Sequence, residues 1–148
     1  MRNYMDLKGG CLCGAIRYEF RGRPVRSFVC HCTDCRRSGG SLFHYGIMLP
    51  KAQFTVTGEP ACYATKSDAR RLIKRYFCAT CGSGIWNELE FAPQGIVLKG
   101  GTLDAHPAEL MPTAEVYVSS RSACCSFDQI TQHYPQSSGG AIFQFDKD

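Results

Sequence analysis

No apolar run in this chain is long enough to cross a bilayer. A stretch such as Gly46-Ile47-Met48-Leu49 is a fraction of the roughly 20 residues that a spanning helix needs. The amino-terminal segment, Met1 to Asp6, has no apolar h-region, so a cytoplasmic protein with no membrane attachment is the expectation. The excess of one charge sign over the other is small too. A net charge of +4 without a basic tail argues against nucleic acid as a partner. Helix periodicity is weak, and neither repeats nor low-complexity tracts occur, which excludes a repeat architecture or a disordered linker.

What is present is a globular balance. The 148 residues are 44% hydrophobic and 20% charged, enough for one domain spanning 1–148 with a continuous core. Strand signals dominate. Between Ala15 and Arg21, Ile16, Tyr18 and Phe20 fall on one face, and Arg17, Glu19 and Arg21 on the other. Phe54–Thr57 is β-branched and runs into the turn Gly58-Glu59-Pro60. Leu42–Leu49, Arg71–Phe77, Gly95–Lys99 and Glu115–Val118 are further strands, separated by glycine pairs. Thr33–Ser38 reads as one helical turn stopped by Gly39-Gly40, and Pro107–Leu110 as another. The expectation is a mainly β fold of several small antiparallel sheets with little helix, stapled by metal.

Ten cysteines are the outlying feature, and seven of them fall in three clusters. These are Cys11-Leu12-Cys13-Gly14, Cys30-His31-Cys32-Thr33-Asp34-Cys35 and Cys78-Ala79-Thr80-Cys81-Gly82. An even count in a secreted protein would suggest disulfides; in a reducing compartment these spacings suggest metal. Residues i and i+2 of a strand share a face, so Cys11 with Cys13, and Cys30 with Cys32, can each address one ion. A CxxC on a tight turn closed by glycine does the same for Cys78 and Cys81. Zinc takes four protein ligands in structural sites and three in catalytic ones, so seven thiols divide as four plus three and two ions per chain are expected. A fourth ligand from His31, His44, Cys62 or Cys124 would close the second site and make it structural. His31 has the wrong strand parity and reads as a packing or hydrogen-bonding residue. Cys62, Cys124 and Cys125 read as small core hydrophobes, and adjacent Cys124 and Cys125 face opposite ways if extended.

The order of these motifs, with Ile85-Trp86 after the last, Gly100-Gly101-Thr102-Leu103-Asp104 and Val116-Tyr117-Val118-Ser119-Ser120-Arg121, resembles the glutathione-dependent formaldehyde-activating enzyme (GFA) family. The zinc domain of centromere protein V belongs to the same superfamily. The resemblance runs from about Gly9 to Arg121. It lapses at Ser122-Ala123-Cys124-Cys125, where family members often carry a tryptophan, and the tail 122–148 matches nothing. It implies a β-tent fold, a structural zinc on Cys11, Cys13, Cys78 and Cys81, and a catalytic zinc on Cys30, Cys32 and Cys35. It also implies a carbon–sulfur lyase of the S-(hydroxymethyl)glutathione synthase kind, joining glutathione to formaldehyde. A soft, open zinc suits that task, because it takes a thiol and holds it as thiolate. Glutathione has two carboxylates, so Arg36 beside the open site is a candidate contact, with a salt bridge as the alternative. Arg70, Arg71, Lys74 and Arg75 read as a solvated strand face, and Trp86 as core. The competing function is a non-catalytic zinc module that binds protein or nucleic acid.

Overall fold

The computed structural model describes residues 3–145, so residues 1–2 and 146–148, including the end of the tail, lie outside it. Among the described residues there are eleven strands, one short helix and five 3-10 turns. The order is β1 (Met5–Gly10), β2 (Arg17–Gly22), β3 (Arg26–Cys30), α1 (Thr33–Gly39), β4 (His44–Pro50), β5 (Phe54–Thr57) and β6 (Ala61–Lys66). It continues with β7 (Leu72–Phe77), β8 (Gly84–Leu89), β9 (Gly95–Lys99), β10 (Ala114–Val116) and β11 (Gln132–Tyr134). The fold is mainly β, as the alternation of the sequence implies. Its strands gather into a three-stranded sheet, β1-β2-β5, and an eight-stranded sheet, β11-β10-β3-β4-β9-β8-β7-β6. All pairings are antiparallel except that β10 runs parallel to both β3 and β11. Among the described residues no helix is long and apolar enough to cross a membrane.

Burial explains the stacking. In β2 the apolar face predicted from alternation is the buried one: Tyr18 and Phe20 are 1% and 0% exposed. Complete burial of such a side chain stabilises the fold by roughly 1.5–3 kcal/mol. These residues and Leu7 meet Ile47, Leu49, Ile96 and Leu98 of the large sheet in one apolar cluster, where Trp86 also packs, stacked on Tyr76 at 4.4 Å. The opposite face of the large sheet carries a second cluster around Phe28, Met48, Leu89, Val97 and Val116. β4 therefore lies between two cores, and its run Ile47-Met48-Leu49 is buried on both faces. The tail belongs to this second face. β11 pairs with β10, and Phe143 packs edge-on against Phe28 and Phe91 at 5.4 Å each. α1 stops where Gly40 takes a left-handed φ of 68° and donates its N–H to Arg36 O.

Candidate functional site

Two cysteine clusters stand out, each with its sulfurs within 4.8 Å of one another. No disulfide joins any of the ten cysteines. In the first cluster Cys11 and Cys13 sit in the loop after β1, and Cys78 and Cys81 in the turn between β7 and β8. That turn closes through Gly82 N–H to Cys78 O at 2.8 Å, with Gly82 at φ +78°, a conformation that glycine adopts without strain. The sulfurs of Cys11 and Cys13 are 3.6 Å apart, and those of Cys13 and Cys78 3.7 Å apart. A tetrahedron with metal–sulfur bonds of about 2.3 Å has edges of about 3.8 Å, so the donor set fits such an ion. The Ile16 amide donates to Cys11 Sγ, and the Ser83 hydroxyl lies 3.2 Å from Cys81 Sγ. The Ser83 contact draws the Cys81 thiol down to about 5. This cluster ties the small sheet to the β7–β8 turn of the large one.

The second cluster caps the end of β3. Cys30 closes the strand, Cys32 is the N-cap of α1, and its sulfur accepts from the Cys35 amide at 3.3 Å. Hydrogen bonds from Cys30 and Cys35 pull Cys32 down to about 2. Those from Cys32 and Cys35 push Cys30 well up. At Cys35 the Cys30 contact pulls downward, but Cys32 and burial outweigh it and leave the thiol at about 12. Three thiols this close oppose one another's ionisation, and a cation in their midst would relieve that opposition. Among the described residues no histidine or carboxylate joins them within the same span. His31 turns the other way, as its strand parity predicts. It is fully buried, with Nε2 3.1 Å from Glu115 Oε1.

The three thiols open onto a cavity of about 300 Å³ on the face of the large sheet away from the small one. Its polar wall includes Arg71, Arg75, His44 and Asn87; its floor is Phe28, Leu89, Val97 and Phe143. The expectation of a solvated basic face is therefore corrected at Arg75, whereas Arg71 is exposed at the cavity rim. On β7 the odd-numbered residues Ile73 and Arg75 line the cavity, as does Arg71 just before the strand. The Arg75 side chain is only 11% exposed and donates to Thr65 Oγ1 at 2.7 Å, and the Arg71 guanidinium lies 4.8 Å over the Phe91 ring. Burial holds His44 neutral, pushed down to about 3. His44 Nε2, Asn87 Oδ1 and Ser138 Oγ are buried without a hydrogen-bond partner. Arg36 is half-buried on α1 and outside the cavity lining. Cys62 and Cys124 are exposed and Cys125 half-buried, which corrects their reading as core. Cys62 lies on β6, the edge strand, and Ser122–Cys125 form a turn closed by Cys125 N–H to Ser122 O at 3.0 Å.

Residues 6–120 match the family described as glutathione-dependent formaldehyde-activating enzyme, GFA, and all seven clustered cysteines lie within that span. The chain belongs to the GFA family. Similar proteins include putative glutathione-dependent formaldehyde-activating enzymes of three organisms. That of Aspergillus flavus is 27% identical over 82 residues, covering 54% of this chain and 42% of that protein. That of Podospora anserina is 27% identical over 82 residues, 54% of this chain and 38% of that protein. That of Halomonas elongata is 28% identical over 87 residues, 55% of each. The matched stretch thus spans about half of these relatives or less. A crystal structure of a Rhodobacter sphaeroides protein superposes with a TM-score of 0.56 at 23% identity, covering 74% of this chain and 99% of that one, which shows a shared fold. The GFA match ends before Ser137, Ser138 and Phe143, so that part of the cavity wall lies outside the family pattern.

Proposed function

We propose that this GFA protein is a zinc-dependent carbon–sulfur lyase, acting in the cytoplasm on the β-tent fold that the sequence resemblance implies. It joins the thiol of glutathione, or of a related small thiol, to an aldehyde, with formaldehyde as the simplest case, and reverses the step. The observation that carries this reading is the trio Cys30, Cys32 and Cys35, with no further protein donor among the described residues, opening onto a cavity with two arginines. Cys11, Cys13, Cys78 and Cys81 hold a structural zinc, and Cys30, Cys32 and Cys35 a catalytic one. Zinc on three thiolates supplies a soft Lewis acid that keeps an incoming thiol ionised near neutral pH.

The chain's own residues do the rest. Arg75, held by Thr65 and near Asp34, and the exposed Arg71 present two cations to the two carboxylates of glutathione, whereas Arg36 stands outside the cavity wall. Neutral His44 and Asn87 offer unpartnered polar atoms to the hydroxyl of the adduct. Arg75 and Lys99 bring positive charge close enough to act on Cys32 and Cys35, offsetting the charge of three thiolates.

Cobalt-substituted protein titrated with glutathione tests the reading. The sulfur charge-transfer band should grow as an external thiolate joins, and affinity should rise with pH below the thiol's own pKa, because binding releases its proton. Arg75→Met should weaken glutathione about tenfold, the worth of one charge-assisted contact of about 1.4 kcal/mol. A spectrum that shows four protein ligands at both sites and ignores glutathione would instead favour the non-catalytic zinc module.

A further inference from the structure

Formaldehyde leaves one carbon and one hydroxyl on a thiol sulfur, and a site shaped for that group alone needs no apolar surface. The cavity beside Cys30, Cys32 and Cys35 has a broad one. Its floor is Phe28, Leu89, Val97 and Phe143, and the three cysteines pack against that same apolar cluster. Enclosed apolar surface beside a reacting centre favours a hydrocarbon over water, by about 25 cal/mol for each Å² covered. Against this floor stands a buried acceptor: Asn87 is 6% exposed, lines the cavity, and has no donor for Oδ1. The hydroxyl of a hemithioacetal, the adduct of a thiol and an aldehyde, is such a donor.

One side of the floor lies outside the stretch that matches the GFA family. Phe143 comes from the carboxy-terminal segment, beyond the 6–120 span of the GFA match, and is pinned edge-on between Phe28 and Phe91. Next to it Ile142 is 1% exposed, which fixes the segment on the sheet. The boundary of the apolar floor is therefore set outside the family pattern.

We propose, building on the thiol-adduct function above, that the aldehyde partner carries a hydrocarbon substituent several carbons long, that this substituent lies on the Phe28–Leu89–Val97–Phe143 floor, and that Phe143 sets its length. The step balances without a further reactant. The thiol gives up its proton to solvent on binding, its sulfur forms a bond to the aldehyde carbon as the C=O π bond opens, and the oxygen takes a proton back from solvent to become the hydroxyl that donates to Asn87 Oδ1.

The test uses the zinc-loaded full chain with glutathione and formaldehyde, butanal, hexanal or octanal, with exchange between free aldehyde and hemithioacetal followed by NMR. The expected result is a kcat/KM that climbs from formaldehyde to hexanal, by up to about fourfold for each methylene buried. Phe143→Ala should move the optimum toward octanal, and Phe143→Trp toward butanal. A merely structural role for Phe143 would lower all aldehydes alike, and that pattern would overturn the assignment. So would a preference for formaldehyde with the longer aldehydes excluded. If glutathione binds the cobalt protein but no aldehyde exchanges faster than without protein, the aldehyde site is wrong and the thiol site stands. If glutathione does not bind either, both readings fall together.

Discussion

Glu115 is a carboxylate with no exposure to solvent, and Glu115→Ala tests what it does. It accepts from His31 Nε2 at 3.1 Å, from His133 Nδ1 at 2.7 Å and from Arg121 Nη1 at 3.2 Å. The three partners differ in what they lose. His133 and Arg121 are 46% and 40% exposed and can turn to water, so each of those contacts is worth at most about 1 kcal/mol. His31 has no exposure, and its other ring nitrogen already lacks a partner. Stranding that imidazole costs about 1–3 kcal/mol, and the vacated side-chain volume adds to it. The expected total is about 3–5 kcal/mol, the usual cost of breaking a buried pair. His133→Ala should cost under about 1 kcal/mol. Urea unfolding of the metal-loaded proteins measures both. Glu115→Gln keeps an acceptor for His31, should fall between the two, and isolates the pH term. Burial would raise the Glu115 carboxyl, but the hydrogen bonds from His31 and His133 and the Arg121 charge outweigh it and hold it below its ordinary value. A depressed carboxyl contributes stability above its unfolded pKa, about 4.3, and loses it as pH falls through the folded value. The gap between wild type and Glu115→Gln should therefore narrow below about pH 4. A Glu115→Ala cost no larger than that of His133→Ala, or a gap indifferent to acid, would refute this account.

Two further expectations concern the cysteines. Cys81→Ala should abolish the soluble fold, because its cluster joins the two sheets and metal binding there is linked to folding; Cys35→Ala should keep the β circular-dichroism signature and lose about one metal ion by elemental analysis. Equal behaviour of the two variants in melting and metal content would refute the division of roles. In metal-loaded protein a maleimide should label Cys124 and Cys62 readily and Cys125 more slowly, Cys124 leading because the Ser122 hydroxyl lowers its pKa. Mass spectrometry that finds the clustered thiols labelled first would contradict metal protection.

How much of this was legible in the sequence follows the range of each signal. Metal spacings are local, so Cys11, Cys13, Cys78 and Cys81 and the trio at Cys30 could be found without a fold. β2 was legible because one face is buried and the other wet. β3 and β8 were not: Ser27-Phe28-Val29-Cys30 is buried on both faces, and so is Ile85-Trp86-Asn87, which erases the alternation. β6 fails for the opposite reason, being an edge strand with scarcely any buried face. β11 and the tail owe their places to contacts with β10, Phe28 and Phe91, which no local pattern encodes. The cavity runs from Phe28 to Phe143 along the chain, so its composition appears only once the sheet is assembled. Arg75 was misread because a basic residue at an odd position of β7 looks the same in sequence whether it faces water or a pocket.

On the proposed function, the two clusters divide their work because they sit on opposite faces of the same large sheet. The four-cysteine cluster lies where two sheets must be joined, and every donor is supplied by the protein. It can add rigidity but has nothing to offer a substrate. The three-cysteine cluster lies at the end of β3 on the other face, where α1, the β6–β7 loop and the tail border an open cavity. Holding three thiolates there is electrostatically costly, as the upward push on Cys30 and Cys35 shows. The chain meets that cost on two sides. Arg75 acts on the thiols from the cavity wall and Lys99 from nearby, while behind the strand the Glu115–His31 contact fixes the residue between Cys30 and Cys32. On the proposed function, His31 contributes by facing away from the metal site. A ligand in its place would fill the coordination that the substrate needs, and with Glu115 as its partner it holds the two flanking sulfurs on the cavity face instead.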